Sequence, residues 1–346
     1  MFRTFFTILF SIFFVNLNLC FSQNSKYNLT IDASKKDMLK LSQIGFVKRI
    51  IPLEETHSKQ VLESNQVVID GSDIFLTFGF SPGEIFNYDF NGNLKNKISV
   101  DENLLKGSLY FDCDTLNNIL FLRSMSDTDT IYCLNYNGKI LNKFKVPHRP
   151  PFYFYNKMLW GTVKRAEDNY DIYTLYSTNK NGESNLVWEM QNDITLFPDM
   201  KQGRLSPSFS SNNKALFFSM LFDQTIYKIE NSKMTPYVKF QFINGQPDYY
   251  DYVLGSQQII NGKWIINRYR IQQKKFSYIY NTKTNKSYNL ANKKILDDVF
   301  NTDGLNVNIF NNMSNGLVAF LVPTNLTHNA EDMENRGASL VLITVE

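Results

Sequence analysis

The residues with chemistry to offer are few and scattered: His57, His148 and His328, Cys20, Cys113 and Cys133, and aspartates that recur in close pairs. No His-Glu-x-x-His helix, Gly-x-Ser-x-Gly elbow or phosphate-cradling glycine loop occurs, and the cysteines lack zinc spacing. The acidic clusters Asp112/Asp114, Asp127/Asp129, Asp297/Asp298 and Asn301-Thr302-Asp303-Gly304 invite a calcium reading. Calcium takes about six to eight oxygen ligands, and no stretch supplies the full loop with its closing glutamate. Ordinary turn chemistry accounts for these clusters. Asp303 is kept as a candidate, because it opens the first strand of the last repeat described below. No metal or cofactor is expected. What remains is recognition chemistry, above all arginine and tyrosine, which concentrate at binding hot spots.

The elements that must position these residues are strands. The chain has 346 residues, with 29 Phe and 19 Tyr against 16 Gly and 10 Pro. Aromatic and β-branched residues suit a pleated, half-buried surface. The stretch YDFNGNLKNKI (88–98) returns as LNYNGKILNKF (134–144). Further bends fall at Asn181-Gly182, Asn231-Ser232 and Asn285-Lys286, so the bend-to-bend spacings are 46, 44, 50 and 54 residues. Asn and Gly tolerate positive φ, which a type I′ hairpin needs at both central positions. Two further strand-like runs precede each bend. A unit of about 45 residues with four antiparallel strands is the signature of a propeller blade.

Blades are expected near 65–98, 108–145, 152–190, 204–242 and 256–290. A sixth begins with GLNVNIF and GLVAFLV and ends with ASLVLITVE (338–346), one strand short. FVKRIIPL (46–53) is expected to complete it, closing a ring and removing exposed edges. The expected fold is therefore all-β, a six-bladed β-propeller over 46–346. The best helical run, SKKDMLKLSQI (34–44), lies in a lead-in segment, 23–45.

The run IDASKKDMLKLSQIGFVKRIIPLEE (31–55), the strands Asp129-Thr130-Ile131-Tyr132 and Gln224-Thr225-Ile226-Tyr227, and the Tyr280–Lys286 hairpin resemble the secreted bacterial six-bladed β-propeller proteins related to the NHL repeat group. The resemblance spans the chain beyond its leader. It implies a fold and leaves the activity open. One departure stands out: the family often carries Gly-Pro-Gly-Glu-Tyr after an outer strand, whereas here Pro82-Gly83-Glu84 lies before a third strand and the expected place holds DENLLKGSLY (101–110).

In a propeller, the loops entering each blade share one face with the loops between second and third strands. That face would gather Arg123, His148, Arg149, Arg165, Tyr249, Arg268, Arg270 and Asp303, with Asp199, Arg204 and Asp248 nearby. The loop HRPPFYFYN (148–156) is the most unusual; alternation would send Phe152 and Phe154 to one side and Tyr153 and Tyr155 to the other. These residues are the candidate ligand-binding set. The expected role is a binding module for a small molecule, glycan, peptide or protein; the alternative is a metal-assisted lactonase- or lyase-like enzyme at the channel.

Export is expected as well. MFRT precedes the apolar run FFTILFSIFFVNLNLCF, and Cys20-Phe21-Ser22 fits cleavage before Gln23. Asn16 and Asn18 interrupt the run below the length of about 18 apolar residues that reads as a membrane span. Lipid attachment at Cys20 is a rival, weakened by Leu17-Asn18-Leu19 before it. The product would be periplasmic or extracellular and monomeric. Net charge is +3 with signs interspersed, which argues against a nucleic-acid surface. Cys113 and Cys133, on strands separated by a third, are expected to stay free thiols.

Overall fold

A computed structural model describes residues 25–54, 64–78, 83–99, 109–124, 129–167, 170–193, 207–212, 214–220, 223–245, 257–260, 263–271, 274–291, 294–296, 298–299, 305–306, 311–312, 317–323 and 338–345. The chain begins with β1 (Tyr27–Asp32), α1 (Leu41–Ile44) and β2 (Gly45–Leu53). The first meander is β3 (Ser64–Asp70), β4 (Asp73–Phe78), β5 (Glu84–Asp89) and β6 (Leu94–Ser99). The second is β7 (Leu109–Asp114), β8 (Ile119–Ser124), β9 (Thr130–Asn135) and β10 (Ile140–Lys145). The third is β11 (Arg149–Tyr155), β12 (Met158–Ala166), β13 (Tyr170–Thr178) and β14 (Ser184–Asp193). The fourth is β15 (Ser208–Asn212), β16 (Ala215–Ser219), β17 (Thr225–Glu230) and β18 (Lys233–Ile243). The fifth is β19 (Gln257–Ile260), β20 (Trp264–Ile271), β21 (Lys274–Asn281) and β22 (Lys286–Ala291).

After these come β23 (Lys294–Ile295), β24 (Leu305–Asn306), β25 (Asn311–Asn312), β26 (Leu317–Pro323) and β27 (Ala338–Val345). Strands within each meander pair with their sequence neighbours in antiparallel register. The last four-stranded sheet has the order β25-β26-β27-β2. Its outer pair runs from Gly45↔Val345 to Leu53↔Ala338, the partnership expected for 46–53. The stretch read as the sixth repeat's first strand, GLNVNIF, behaves differently. Leu305–Asn306 pairs with β23 in a separate ladder, and Asn311–Asn312 is the strand that meets β26.

The packing follows from strand alternation, which sends every second side chain to the same face. Six clusters of buried side chains form among the described residues, and each draws on two consecutive sheets. Phe75, Ile85 and Ile98 of the first meander meet Phe111, Leu120 and Leu122 of the second. Phe121, Ile131 and Cys133 of the second meet Phe152 and Leu159 of the third. Trp160, Tyr173 and Leu175 meet Leu216 and Phe218 of the fourth, and Phe217, Val238 and Phe240 meet Ile265 and Tyr278 of the fifth. Ile266 and Ile279 meet Val341 and Ile343 of β27, and Leu340 and Leu342 meet Val67, Ile74 and Tyr88 of the first meander. The first strands lie closest together: β3 beside β7, β7 beside β11, β15 beside β19 and β25 beside β3.

Two expectations are corrected. The helix read over 34–44 is a single turn, Leu41–Ile44. Before it the chain runs along neighbouring strands: the Asp37 N–H donates to Asn289 O at 2.7 Å, and Leu39 and Leu41 exchange main-chain bonds with Leu296 at 2.9 Å. Those external bonds replace the internal ones a helix would make. The bends also differ. Gly92, Gly138 and Gly182 have φ of 89°, 84° and 87°, whereas the asparagines before them are not left-handed. Each glycine N–H instead donates to the carbonyl three residues back, on Asp89, Asn135 or Asn179. The side chains of those three residues accept two more main-chain N–H groups each. Of the five expected bends only Asn231-Ser232, with φ of 51° and 61°, has both residues left-handed as type I′ requires.

Candidate functional site

The predicted binding residues divide by environment. Arg123 on β8 and His148 before β11 are fully buried at the seam between the second and third meanders. An Arg123 Nη1–H donates to the His148 carbonyl, tying the two sheets together. The His148 ring lies over Gly161; a Cβ there would come within 2.3 Å of Nδ1 and 2.5 Å of Cγ. Burial, with the Arg123 charge adding to it, pushes the imidazole down to about 3, so it is neutral at physiological pH. Arg268 on β20 is buried, and burial lowers it to about 10, which leaves it charged. Arg270 is half-buried on the same strand.

Arg165 near the end of β12 is exposed and its Nε–H donates to Glu167 Oε1 at 3.2 Å. Arg149 opens β11 opposite Thr162. Tyr249 and Asp303 lie outside the described residues. Within the set, Arg123 meets His148, and that contact serves the sheet seam. The aromatic loop alternates as expected, with Phe152 and Phe154 packing toward the second meander and Tyr153 and Tyr155 toward the fourth. Cys113 and Cys133 are both buried and unbridged, in clusters on opposite faces of their sheet.

A more concentrated arrangement lies on the first strands of the second, third and fourth meanders. Asp114 does close a turn, accepting from the Leu116 N–H at 3.1 Å and Asn117 Nδ2 at 2.6 Å. Asp112 does not. It sits within β7, half-buried, and its Oδ2 reaches across to accept the Phe154 N–H of β11 at 2.6 Å. Its Oδ1 accepts the Cys113 N–H at 2.8 Å. Among the described residues no lysine, arginine or histidine forms an ion pair with it. Burial outweighs the two donated bonds and pushes the carboxyl up to about 7.

Two tyrosines stand beside it. Tyr110, two residues earlier on the same strand face, packs edge-on against Phe152 at 5.2 Å between centroids. Tyr153 of β11 stacks on Phe209 at 6.1 Å, and its hydroxyl shares a hydrogen bond of 2.8 Å with Ser211 Oγ on β15. Burial and the nearby Asp112 charge raise both phenols well above their ordinary value. A carboxyl that changes protonation near neutrality, within electrostatic reach of two neutral phenols, can accept donors, hold a cation or exchange a proton. Its neighbour Gln66 on β3 offers a contrast: its amide donates to Phe111 O and accepts the Phe111 N–H at 3.2 Å, spanning the edge of β7.

The sequence did carry a signal for this site. Tyr110, Asp112 and Asp114 alternate with Leu109, Phe111 and Cys113, so one face of an apolar strand is polar and must meet the next sheet. Reading the aspartates as a pair, rather than as a strand face, hides it. Among the described residues no group of three or more His, Cys, Asp or Glu could hold a metal ion. Nor is any helix there long and apolar enough to cross a membrane.

No family model matches the chain, and no curated protein does. Solved structures do. A Bacteroides fragilis protein described as exported matches 92% of this chain and 99% of its own, with a TM-score of 0.60 at 14% identity. The β-propeller domain of the Trilobed protease from Pyrococcus furiosus matches 82% of each chain, with a TM-score of 0.45 at 11% identity. TolB from Acinetobacter baumannii matches 79% of this chain and 63% of its own, with a TM-score of 0.40 at 11% identity. The likeness to the Bacteroides protein extends over nearly the whole chain and is a likeness of fold.

Proposed function

We propose that this chain is an exported six-bladed β-propeller, with residues 1–22 as a signal segment, 23–45 as a lead-in and 46–346 as one propeller domain, and that it works as a binding module. Support for a ring of six comes from the core: six apolar clusters join consecutive sheets, and one of them sets Leu340 and Leu342 of β27 against Val67 and Ile74 of the first meander. Support for export comes from the leader pattern and from the likeness to a protein described as exported.

One observation carries the binding reading. Asp112 is a half-buried carboxyl on a first strand, held by two main-chain donors and flanked by Tyr110 and Tyr153. First strands face the axis of a propeller, so the ligand reaches this surface from the channel, with Arg165 and Arg270 at the loop face forming its approach. The protein beginning at Gln23 should be tested by thermal shift against oligosaccharides, peptides and amines, with hits repeated on variants. Loss in Tyr153→Phe and Asp112→Asn with retention in Arg165→Ala supports the axial surface. The reverse pattern moves the ligand to the loop face.

A second reading keeps the same surface and makes it hydrolytic or eliminative. It is favoured by a carboxyl that titrates near neutral pH, as a general acid–base catalyst must. Consumption of any ligand found by the screen, abolished in Asp112→Asn, would establish it.

A further inference from the structure

We propose that the surface around Asp112 receives a small organic ammonium ion, with the carboxylate as counter-ion and Tyr110 and Tyr153 flanking it. The inference rests on the axial binding reading and names its ligand class.

The comparison of Asp112 with Gln66 is the main argument. Both side chains leave a first strand and hold the main-chain edge of the next one: Gln66 binds Phe111 of β7, and Asp112 binds Phe154 of β11. Gln66 shows that a neutral amide performs this clasp. A carboxylate there adds a charge that the clasp does not use, in a setting that penalises charge. Its two oxygens offer about four acceptor positions, and main-chain donors occupy two.

The donors it has are neutral, and among the described residues no cationic side chain pairs with it. A ligand that supplied a cation would therefore complete both the charge and the hydrogen bonding. The surroundings favour the same sign. The two phenols within reach of its charge, Tyr110 and Tyr153, stay neutral and add no competing negative charge. β7, β11 and β15 are each the terminal strand of their sheet, the position at which main-chain carbonyls lie open. A metal ion would need more ligands than one carboxylate offers, and no group of three or more His, Cys, Asp or Glu exists among the described residues. A neutral hydroxyl ligand would fill the acceptor positions and leave the charge uncompensated.

Such binding is linked to pH through a single group. The titratable groups within reach of the Asp112 charge are Tyr110 and Cys113 on its own strand and Tyr153 on β11, and its partner across the ladder is Phe121 of β8. Burial raises the tyrosines and the thiol, so they stay neutral, while the carboxyl titrates at about 7. An ammonium ligand binds the ionised form and expels its proton to solvent. Affinity then falls as pH drops through 7, by about tenfold from pH 8 to pH 6.

The probe is n-butylammonium, charged across that range, with n-butanol as its neutral match, titrated calorimetrically into the protein beginning at Gln23. Saturable binding is expected at pH 8, about tenfold weaker at pH 6, with no competition from n-butanol. Asp112→Asn retains the clasp to Phe154 and should lose the binding. Absence of saturation at pH 8, equal binding of n-butanol, or unchanged binding in a folded Asp112→Asn variant would each overturn the inference. Should that variant fail to fold, proton release by the wild type decides: runs near pH 6 in two buffers of different ionisation enthalpy must show protons leaving on binding, and their absence rejects the idea. Neutral ligands that depend on Tyr153 while n-butylammonium does not bind would sink this inference and leave the binding reading standing. Ligands that depend only on Arg165 would sink the axial site itself.

Discussion

At the scale of single residues, a buried histidine and a half-buried aspartate oppose each other. His148 is held neutral, pushed from 6.5 to about 3, while the unfolded chain protonates below 6.5. It therefore removes stability as pH falls through that window. Asp112 does the opposite: raised from 3.8 to about 7, it binds its proton more tightly when folded, so stability falls as pH rises from about 4 to 7. In wild type the two slopes offset between pH 4.5 and 6.5. Melting measured across that range should slope one way in Asp112→Asn, which loses stability on acidification, and the other way in His148→Asn, which gains it. Each variant should move by on the order of 2 kcal/mol between about pH 6.5 and 4.5, in opposite directions, less for the shift that Asp112 carries because of its partial exposure. Parallel curves would show that neither group carries its expected load. The contact beneath His148 gives a second test. Gly161→Ala would set a methyl 2.3 Å from Nδ1, and overpacking of this kind costs about 1–3 kcal/mol. In a His148→Ala background the same change should cost little, and an additive pair would show that the ring does not rest there. The sequence shows His148 as one unusual loop histidine; that its ring selects glycine thirteen positions later is visible only once β11 and β12 pair.

The elements were far more legible than the site, because strands and turns declare themselves locally. Period-two alternation and recurrent bends led by asparagine locate all five meanders, since both arise from residues close in sequence. Turn type was misjudged for a local reason as well. In the first three bends the residue three before the glycine is Asp89, Asn135 or Asn179, whose side chain takes two main-chain N–H groups and leaves one left-handed position for glycine. The fourth bend has Ile229 at that offset and is a true two-residue turn. Two opposite outcomes follow. Asn135→Ala should destabilise by about 1 kcal/mol, because two bonds to its carboxamide are lost. Ser232→Gly should stabilise by about 0.5–1 kcal/mol, since Ser232 holds φ of 61° without the freedom of glycine. Equal melting points for Ser232→Gly and wild type would mean that the bend relaxes away from type I′. The lead-in escaped local reading for the complementary reason. Leu41 and Ile44 are helical in spacing, yet Asn289 holds the segment before them from outside, its Nδ2 donating to the carbonyls of Asp32 and Lys35 at 3.0 Å.

Across the whole molecule, residues 25–53 act as a strap over three sheets. β1 adds in parallel to β18, with Tyr27↔Val238 through Asp32↔Ile243; the chain then bridges to Leu290 of β22 and to Leu296, and β2 ends on β27. The two strands of this strap contribute unequally to the architecture. β1 buries Leu29 and Ile31 against an already complete four-stranded meander. Removing residues 25–32 should cost about 3–5 kcal/mol from those two side chains and leave a folded, soluble protein. β2 is the fourth strand of a sheet that otherwise has three, and Ile51 and Leu53 fill the cluster shared with the first meander. Deleting 46–53 exposes the edge of β27 and opens that cluster, so the product should aggregate or run as higher oligomers on size exclusion. Supplying residues 45–53 as a separate peptide should then restore part of the monomer, because the missing strand needs no covalent link to pair. If the deletion proves as monomeric and as heat-resistant as wild type, the pairing of the two chain ends does not close the molecule, and the ring of six is wrong.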